Sequence, residues 1–314
     1  MSADHMGALG TDGADERKSV RIAVGLLGVD AWFEGRIEGL FEIARRAESA
    51  GLDELSLSDH VIMGEDVSAY PYGTYNIPLT YPFYEPVTLL ASLAAVTRRI
   101  DLTAILISPL RSAAFLAKQL ATVDVIAKGR LNIGFGVGWQ KAEYDFSGIP
   151  WDGRFGRMDE QVEACRALWS SAPATYHGKT VSFDRAYSLP FPVQPGGIPI
   201  WFGLPPTERN IDRIARHRGG WYPMNPASDL LKAQVGELRR AYERHGHDPS
   251  QLRVRSVLLP VAGKDGKVDL AATIDRIPVW VDAGVTTLEI HPVMYCAAAE
   301  DVDDVFAAFA AARA

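Results

Sequence analysis

The feature that most constrains the fold of this chain is a regular alternation of short strand-like segments with longer helical ones. Arg21–Leu27 is a β-branched run, and Gly35–Ala50 then carries apolar residues at helical spacing until Gly51 ends the pattern. Further strand-like segments are Glu54–Ser58, Asp101–Ile107, Arg130–Val137, Ile198–Gly203, Gly220–Pro223, Leu252–Val261 and Thr287–His291. The helical segments that follow them are Glu85–Thr97, Ala113–Ala127, Phe155–Ser171, Thr207–His217, Leu230–His245, Leu270–Ala283 and Val302–Ala314.

This alternation predicts parallel strands joined by crossover helices. About eight such units in one chain favour a closed (β/α)8 TIM barrel over an open sheet. A doubly wound sheet, the competing fold, would carry a GxGxxG fingerprint in its first turn, which Gly25-Leu26-Leu27-Gly28 does not match. Two segments interrupt the alternation, Val61–Phe83 and Tyr176–Pro195, the second with an expected hairpin around His177–Lys179. Such insertions usually lie at the active-site end, so we expect them at the C-terminal face of the barrel.

Composition excludes several classes of protein. Hydrophobic residues make up 47% of the 314 residues and charged residues 23%, as in proteins with a large core. The net charge of −7 gives no basic surface for nucleic acid. Cys165 and Cys296 lack the partners of a disulfide framework or zinc site. We expect a mobile tail over residues 1–19, one barrel domain over residues 20–314, no membrane span, no metal and a cytoplasmic location.

Residues directly after the strands of a barrel surround its mouth, where catalytic groups lie. His60, preceded by Asp59, stands in that place after the second strand. A histidine can give or take a proton near neutral pH, so His60 and Asp59 are our candidate catalytic residues. The alternative is that His60 only caps or packs the long insertion.

Two later segments have features of a cofactor site. Gly134, Gly136 and Gly138 alternate along the fourth strand and lead into Trp139, which would leave one face of the strand open to a flat ring. A barrel kink or a tight turn is the alternative. After the fifth strand, Gly203–Thr207 leads into a helix whose N-terminus could hold a phosphate, although Thr207 could equally be a plain N-cap.

Together these motifs resemble the bacterial-luciferase-like flavin and deazaflavin oxidoreductases, and most of all the branch that uses coenzyme F420. Order and spacing agree with that family from about Arg21 to Trp221. The segments that carry the resemblance are Leu57–His60, Tyr70–Gly73, Ala117–Asp124, Lys128–Trp139 with Glu143 and Tyr144, Ile198–Gly203 and Gly219–Trp221.

The resemblance implies a barrel that binds the cofactor ring at the carboxyl ends of its strands and the phosphate near the loops after strands five and six. His60 corresponds to the active-site histidine of the family, with Asp59 beside it. The turn after strand three resembles a place where the family often has a non-prolyl cis peptide. A homodimer is also implied. The residues that the resemblance assigns to cofactor binding are Ala104, Ile105, Ser108, Gly136, Gly138, Trp139, Gly203, Leu204, Thr207, Gly220 and Trp221.

The chain departs from the family at the expected phosphate site. Leu204 stands where a second glycine is common, Pro205 and Pro206 supply no N–H donors, and Gly219-Gly220-Trp221 stands where the family commonly has Asp-Gly-Trp. We expect hydride transfer between coenzyme F420 and a small organic substrate, with His60 exchanging the proton. The alternatives are a monooxygenase that uses reduced FMN and O2, and a non-catalytic flavin-binding relative. Substrate choice would depend on the first insertion and its aromatic residues, Tyr70, Tyr72, Tyr75, Tyr81, Phe83 and Tyr84.

Overall fold

The computed structural model describes residues 20–223, 228–264 and 266–312. The tail over residues 1–19 and the last two residues of the predicted C-terminal helix lie outside this part. Eight parallel strands form one sheet in the order β6-β5-β4-β3-β2-β1-β8-β7. Their bounds are β1 Arg21–Gly25, β2 Glu54–Leu57, β3 Asp101–Ile107, β4 Leu131–Gly136, β5 Ile200–Phe202, β6 Gly220–Trp221, β7 Arg255–Val257 and β8 Thr287–Ile290.

The two ends of this sheet meet. Trp221 at the end of β6 forms a parallel bridge with Val254, and its backbone N–H donates to the carbonyl of Arg253, 2.9 Å away. Because both residues directly precede β7, the contact closes the sheet into a cylinder. The predicted (β/α)8 barrel is confirmed.

The helices surround the strands in the expected order. They are α1 Glu38–Ser49, α2 Pro86–Val96, α3 Ala113–Ala127, α4 Lys141–Phe146, α5 Arg154–Ser170, α6 Glu208–Arg216, α7 Ser228–Arg244, α8 Leu270–Ile274, α9 Ile277–Asp282 and α10 Val302–Ala311. Short 3-10 helices lie at Val29–Phe33, Ser108–Leu110, Pro249–Gln251, Pro292–Met294 and Ala299–Asp301.

Two helical details differ from the prediction. The expected single helix Leu270–Ala283 is wrong: α8 ends at Ile274, and α9 starts afresh with Pro278 in its first turn. Proline has no N–H for a helix that continues through it, but it is well placed near a new N-terminus. The extra helix α4 has six residues, too few to give a periodic signal.

Alternate residues of each strand face different layers. Ile22, Leu102 and Leu288 belong to the apolar core between the sheet and the helices. Glu54, Arg255 and Glu289 are buried outside that apolar cluster, and Arg255 donates to both carboxylates, although β2 and β7 are not neighbours. Their contact therefore crosses the barrel interior, which is polar and charged at this level.

The two insertions have different structures. Ala174–His177 pairs in antiparallel fashion with Ser182–Ala186, which confirms the hairpin expected in the second insertion. A smaller hairpin joins Val261–Ala262 to Val268–Asp269. Residues 61–83 contain no helix or strand and lie over the mouth of the barrel. No helix in the described part of the chain is long and apolar enough to span a membrane.

Candidate active site

His60 contacts a buried carboxylate from the segment that follows β4. Its Nδ1 lies 3.1 Å from Oε2 of Glu143 on α4, and the two side chains are 11% and 0% exposed. Oε1 of Glu143 accepts the backbone N–H groups of Val61 at 2.9 Å and Ile62 at 3.4 Å. A carboxylate oxygen accepts, so Nδ1 of His60 is the donor in this contact, and Nε2 has no hydrogen-bond partner among the described residues.

A cluster of aromatic rings, which we call the aromatic roof, covers His60. The ring of His60 lies 4.8 Å from Phe83, 5.9 Å from Trp139 and 6.5 Å from Tyr75, measured between centroids. Tyr70 continues the roof through Trp139 and Tyr75, and Tyr72 packs on Tyr70. Burial raises the pKa of Tyr75 to about 12, so its hydroxyl stays protonated at neutral pH. His60 is thus shielded from bulk water.

The roof is anchored to the barrel by residues just beyond β4. The side-chain amide of Gln140 accepts from the Gly64 N–H at 2.8 Å and donates to the carbonyls of Gly64 and Asp66 at 2.9 and 2.8 Å. The Tyr144 hydroxyl donates to the carbonyl of Val137 at 2.6 Å. Sequence reasoning did not assign these roles. Glu143 and Tyr144 were named only as part of the family resemblance. The sequence signal that could have found them is a pair of polar residues shortly after the glycine-rich end of the fourth strand.

Asp59 points away from His60 and binds Arg111. Its Oδ2 accepts from Nη1 of Arg111 at 2.6 Å and from the backbone N–H of Ile107 at 2.7 Å, and its Oδ1 accepts from Nη2 at 3.0 Å. Arg111 also contacts Glu85 at 3.0 Å. Both oxygens of the buried Asp59 carboxylate are therefore engaged, and the geometry gives Asp59 a positioning role at the end of β3.

The glycines of β4 serve different purposes. A Cβ on Gly136 would lie 3.5 Å from the Leu106 carbonyl and 3.7 Å from the Gly203 carbonyl, so the interior has room for a methyl group there. A Cβ on Gly134 would overlap the side chain of Ile105 and lie 3.1 Å from its Cα. Gly134 therefore makes room for Ile105, and the expectation that all three glycines face a ring is too broad.

The end of β4 and the end of β3 complete the floor of the mouth. Gly138 has a φ of +64°, which fits the turn that was the alternative explanation for it. The Ser108 hydroxyl is buried without a hydrogen-bond partner among the described residues. An unpaired buried hydroxyl is costly unless a ligand or water satisfies it. Ile105, Gly136 and Gly203 are the predicted cofactor residues that this floor brings together, Ser108 follows directly after the end of β3, and Trp139 lies in the roof above.

The cis peptide implied at this turn is not found. In the described ranges the cis peptide bonds are at Ala172–Pro173 and Leu189–Pro190, so the bonds between Ala104 and Pro109 are trans. The expectation is therefore wrong for this chain. The sequence carried no local signal for it, because it came only from the resemblance.

Several predicted cofactor residues lie in the core instead. Ala104 and Leu204 belong to the apolar layer under the helices, and the Trp221 indole N–H donates to the Leu204 carbonyl at 3.0 Å. Gly220 leaves space for the ring of Trp201. These residues therefore serve packing within the fold.

Thr207 caps helix α6. Its side chain accepts from the backbone N–H of Asn210 at 3.3 Å, as the plain N-cap explanation predicts. The N–H groups of Glu208 and Arg209 in the first turn have no partner among the described residues. These two N–H groups could donate to a phosphate near the loop after β5, whereas the negative charge of the Glu208 carboxylate would repel a phosphate.

A second histidine lies at the mouth, and sequence reasoning did not single it out. His291 follows β8, and its Nε2 lies 3.2 Å from Oε1 of the buried Glu289. Oε2 of Glu289 accepts from Nη1 of Arg255 at 2.9 Å, and Arg255 also bonds to Glu54. Burial would raise the pKa of Glu289, but His291 and Arg255 outweigh that effect and lower it to about 2. The signal was a histidine two residues after an acidic residue at a strand end.

Comparison with known proteins assigns the family. Residues 21–306 match luciferase-like monooxygenases. The chain belongs to this family. An uncharacterized protein from Mycobacterium tuberculosis is 30% identical over 253 residues, which are 77% of this chain and 83% of that protein. The FMNH2-dependent dimethylsulfone monooxygenase of Pseudomonas putida is 31% identical over 189 residues, 57% of this chain and 52% of the enzyme.

Solved structures agree in fold. An F420-dependent secondary alcohol dehydrogenase superimposes with a TM-score of 0.73 at 17% identity, covering 94% of this chain and 98% of that one. At this identity the likeness concerns the fold alone. The resemblance seen in the sequence is confirmed at the level of the luciferase-like family. An F420-dependent enzyme has the same fold, and an FMNH2-dependent monooxygenase is a relative in sequence.

Proposed function

We propose that this luciferase-like protein transfers a hydride between coenzyme F420 and a small organic substrate, with His60 exchanging the accompanying proton. The His60–Glu143 pair carries the proposal. It places an oriented imidazole at the barrel mouth with Nε2 unengaged by the described residues. General acid–base catalysis needs a group of this type within reach of the reacting atoms.

The residues at the mouth fit a flat cofactor. Gly136 leaves a methyl-sized space, Ile105 forms part of the floor, and the unpaired Ser108 hydroxyl can bond to a polar ring atom. The free N–H groups of Glu208 and Arg209 at the start of the nine-residue helix α6 would hold a phosphate. The bound deazaflavin would supply the hydride chemistry.

The surroundings of His60 suit proton exchange. Glu143 fixes the tautomer of the ring and stabilises the imidazolium that forms when Nε2 takes a proton. Phe83 and Trp139 pack against the same ring and exclude water from it. Asp59 contributes indirectly, since its bonds to Arg111 and the Ile107 N–H hold the end of β3 beside Ser108.

A homodimer is the assembly that we propose from the family resemblance. Helix α3 exposes Phe115 and Ile126, which a second copy of the chain could cover. Light scattering of the purified protein tests this: a mass of one chain contradicts the proposal.

A reduced-FMN monooxygenase is the second candidate. It is favoured by the 31% identity to the FMNH2-dependent dimethylsulfone monooxygenase over 189 residues. The aromatic roof also suits an oxygenase, because oxygen chemistry at a reduced flavin needs protection from water.

Cofactor titration separates the two candidates. Purified protein is titrated with F420 and with FMN, and each dissociation constant is measured from the change in cofactor fluorescence. We expect tighter binding of F420, followed by F420-linked turnover with propan-2-ol or acetone. Equal or tighter binding of FMN, with oxygen-dependent turnover of dimethylsulfone and reduced FMN, would replace the F420 proposal by the monooxygenase.

A further inference from the structure

His291 and His60 flank the same strand. β1 pairs with β2 on one side and with β8 on the other, and the two histidines follow those two neighbours. Two strand spacings correspond to roughly 10 Å. The His291 ring lies flat against β1, since a Cβ on Gly25 would come within 2.5 Å of its Nδ1. The two imidazoles therefore border the same part of the mouth.

Contacts of Glu289 determine which nitrogen of His291 is available. Oε1 of the Glu289 carboxylate lies 3.2 Å from Nε2 of His291, and Oε2 accepts from Nη1 of Arg255 at 2.9 Å. Nδ1 of His291 has no hydrogen-bond partner within the described part of the chain. It can accept from a hydroxyl when the ring is neutral, or donate to a carbonyl oxygen when the ring is charged.

The arginines beside the two histidine pairs are already neutralised. Arg255 lies between Glu54 and Glu289, and it is fully buried. Arg111 lies between Asp59 and Glu85. Neither guanidinium is available to bind a carboxylate or sulfonate, so these clusters favour a neutral substrate.

The rim beside both histidines is apolar and exposed. Val61 and Ile62 follow His60 and are 50% and 45% exposed, while Val293 and Met294 follow His291 and are 38% and 43% exposed. Exposed apolar side chains grouped around a mouth are typical of a site for an apolar ligand.

We propose that the substrate is a neutral, predominantly apolar alcohol or ketone, and that Nδ1 of His291 binds its oxygen. This inference rests on the hydride-transfer function proposed above. In the oxidative direction the carbinol carbon would give its hydrogen, with the electron pair, to a bound oxidised deazaflavin. The hydroxyl proton passes to Nε2 of His60 as the C=O bond forms. His291, protonated at both ring nitrogens, donates from Nδ1 to the same oxygen throughout and does not itself take up the proton.

Binding of two seven-carbon probes tests the proposal without the need for turnover. The full-length protein, with its seven histidines labelled with 13C at Cε1, is titrated with 2-heptanone and separately with heptanoate. The signals of His60 and His291 are assigned by substitution. We expect 2-heptanone to shift the His291 signal and to bind at least tenfold more tightly than heptanoate.

Variants establish the cause. His291→Leu is expected to weaken 2-heptanone binding by about ten- to a hundredfold, the loss expected for a hydrogen bond to a charged group. His291→Gln, which can still bond to Glu289, guards against a loss caused by misfolding, and both variants are checked by their Tm. His245→Gln is the matched control, because His245 pairs with Asp212 on the outer helices, 2.8 Å away, and should change nothing.

Three results would overturn the inference: heptanoate binding as tightly as the ketone, a ketone-induced shift confined to His60, or no binding of 2-heptanone up to its solubility limit. F420 binding is measured on the same samples. If the ketone contacts His291 while F420 does not bind, the proposed cofactor is wrong and the substrate inference stands. If F420 binds and the ketone does not, the substrate inference is wrong and the proposed cofactor stands.

Discussion

The two histidines at the mouth have nearly the same partner at nearly the same distance, but their carboxylates are held by different parts of the molecule. His60 lies 3.1 Å from Glu143, and His291 lies 3.2 Å from Glu289. Backbone N–H groups of the first insertion bind Glu143, whereas the side chain of Arg255, from the barrel wall, binds Glu289.

This difference separates two tasks. The His60 pair belongs to a loop that Gln140 ties to the barrel, so its geometry depends on how the insertion packs. The His291 pair is built on strands and depends on charges inside the barrel. A group on the insertion can respond when a substrate enters, and a group on the strands can hold the substrate in one place.

The largest effect is expected for His60→Ala. The variant should keep its cofactor but lose about 10²- to 10⁴-fold in turnover, the usual contribution of a general acid or base. Cofactor affinity and single-turnover rate are measured in parallel, with His291→Leu as the comparison, which should act mainly on KM. If His60→Ala turns over normally, His60 serves only to pack the insertion.

Arg255→Met tests the strand-built pair. Removal of the guanidinium leaves Glu54 and Glu289 as uncompensated buried charges, which costs about 3–5 kcal/mol in the free energy of unfolding. Urea unfolding measures this loss. Lys141→Met, which removes an exposed pair with Asp145, should cost less than about 1 kcal/mol. Equally small losses in the free energy of unfolding for both variants would mean that Arg255 is not needed to neutralise Glu54 and Glu289 inside the barrel.

A smaller loss of stability is expected in acid. The pKa of Glu289 is lowered in the folded protein to about 2 from an ordinary value of 4.5. A lowered folded pKa gives stability that is present above pH 4.5 and is lost as the pH falls towards 2. Urea unfolding at a series of pH values measures the slope, and Glu289→Gln should flatten it in this range. An unchanged slope in that variant would assign the acid sensitivity to other carboxylates.

The smallest effect concerns the floor between the two pairs. Gly136→Val should weaken cofactor binding about tenfold, because its branched side chain fills the space left for a ring, while valine suits a strand. Gly134→Ala is its counterpart, and it should lower the Tm through its overlap with Ile105. Affinity and Tm are measured for both. A lower Tm with unchanged affinity in Gly136→Val would mean that this glycine serves packing.

Much of the fold could be predicted from the sequence, because strand and helix periods are local signals. Asp101–Ile107 and Ala113–Ala127 were predicted with the bounds that the structure has. The break at Pro278 was missed because the apolar spacing continues across it. The closure of the barrel followed from the number of units.

The site was predictable only in part. His60 was found because it stands directly after a strand in a position where chemistry is expected. Its partner Glu143 lies 83 residues away, and nothing in the local pattern connects the two. Asp59 shows the opposite error. Its position beside His60 in the sequence suggested a shared role, but adjacent side chains of an extended chain point in different directions. The Asp59 carboxylate therefore binds Arg111.

The bond between Arg255 and Glu54 has a consequence for the order in which the protein assembles. The two residues are separated by 201 positions. During synthesis, most of the chain must be made after Glu54 before Arg255, its cationic partner, is available. A fragment that stops before β7 would therefore contain a strand with an acidic residue facing inward and no charge to meet it. We therefore expect that this barrel cannot be divided into two independently stable halves, because the cation that neutralises Glu54 on β2 comes from β7.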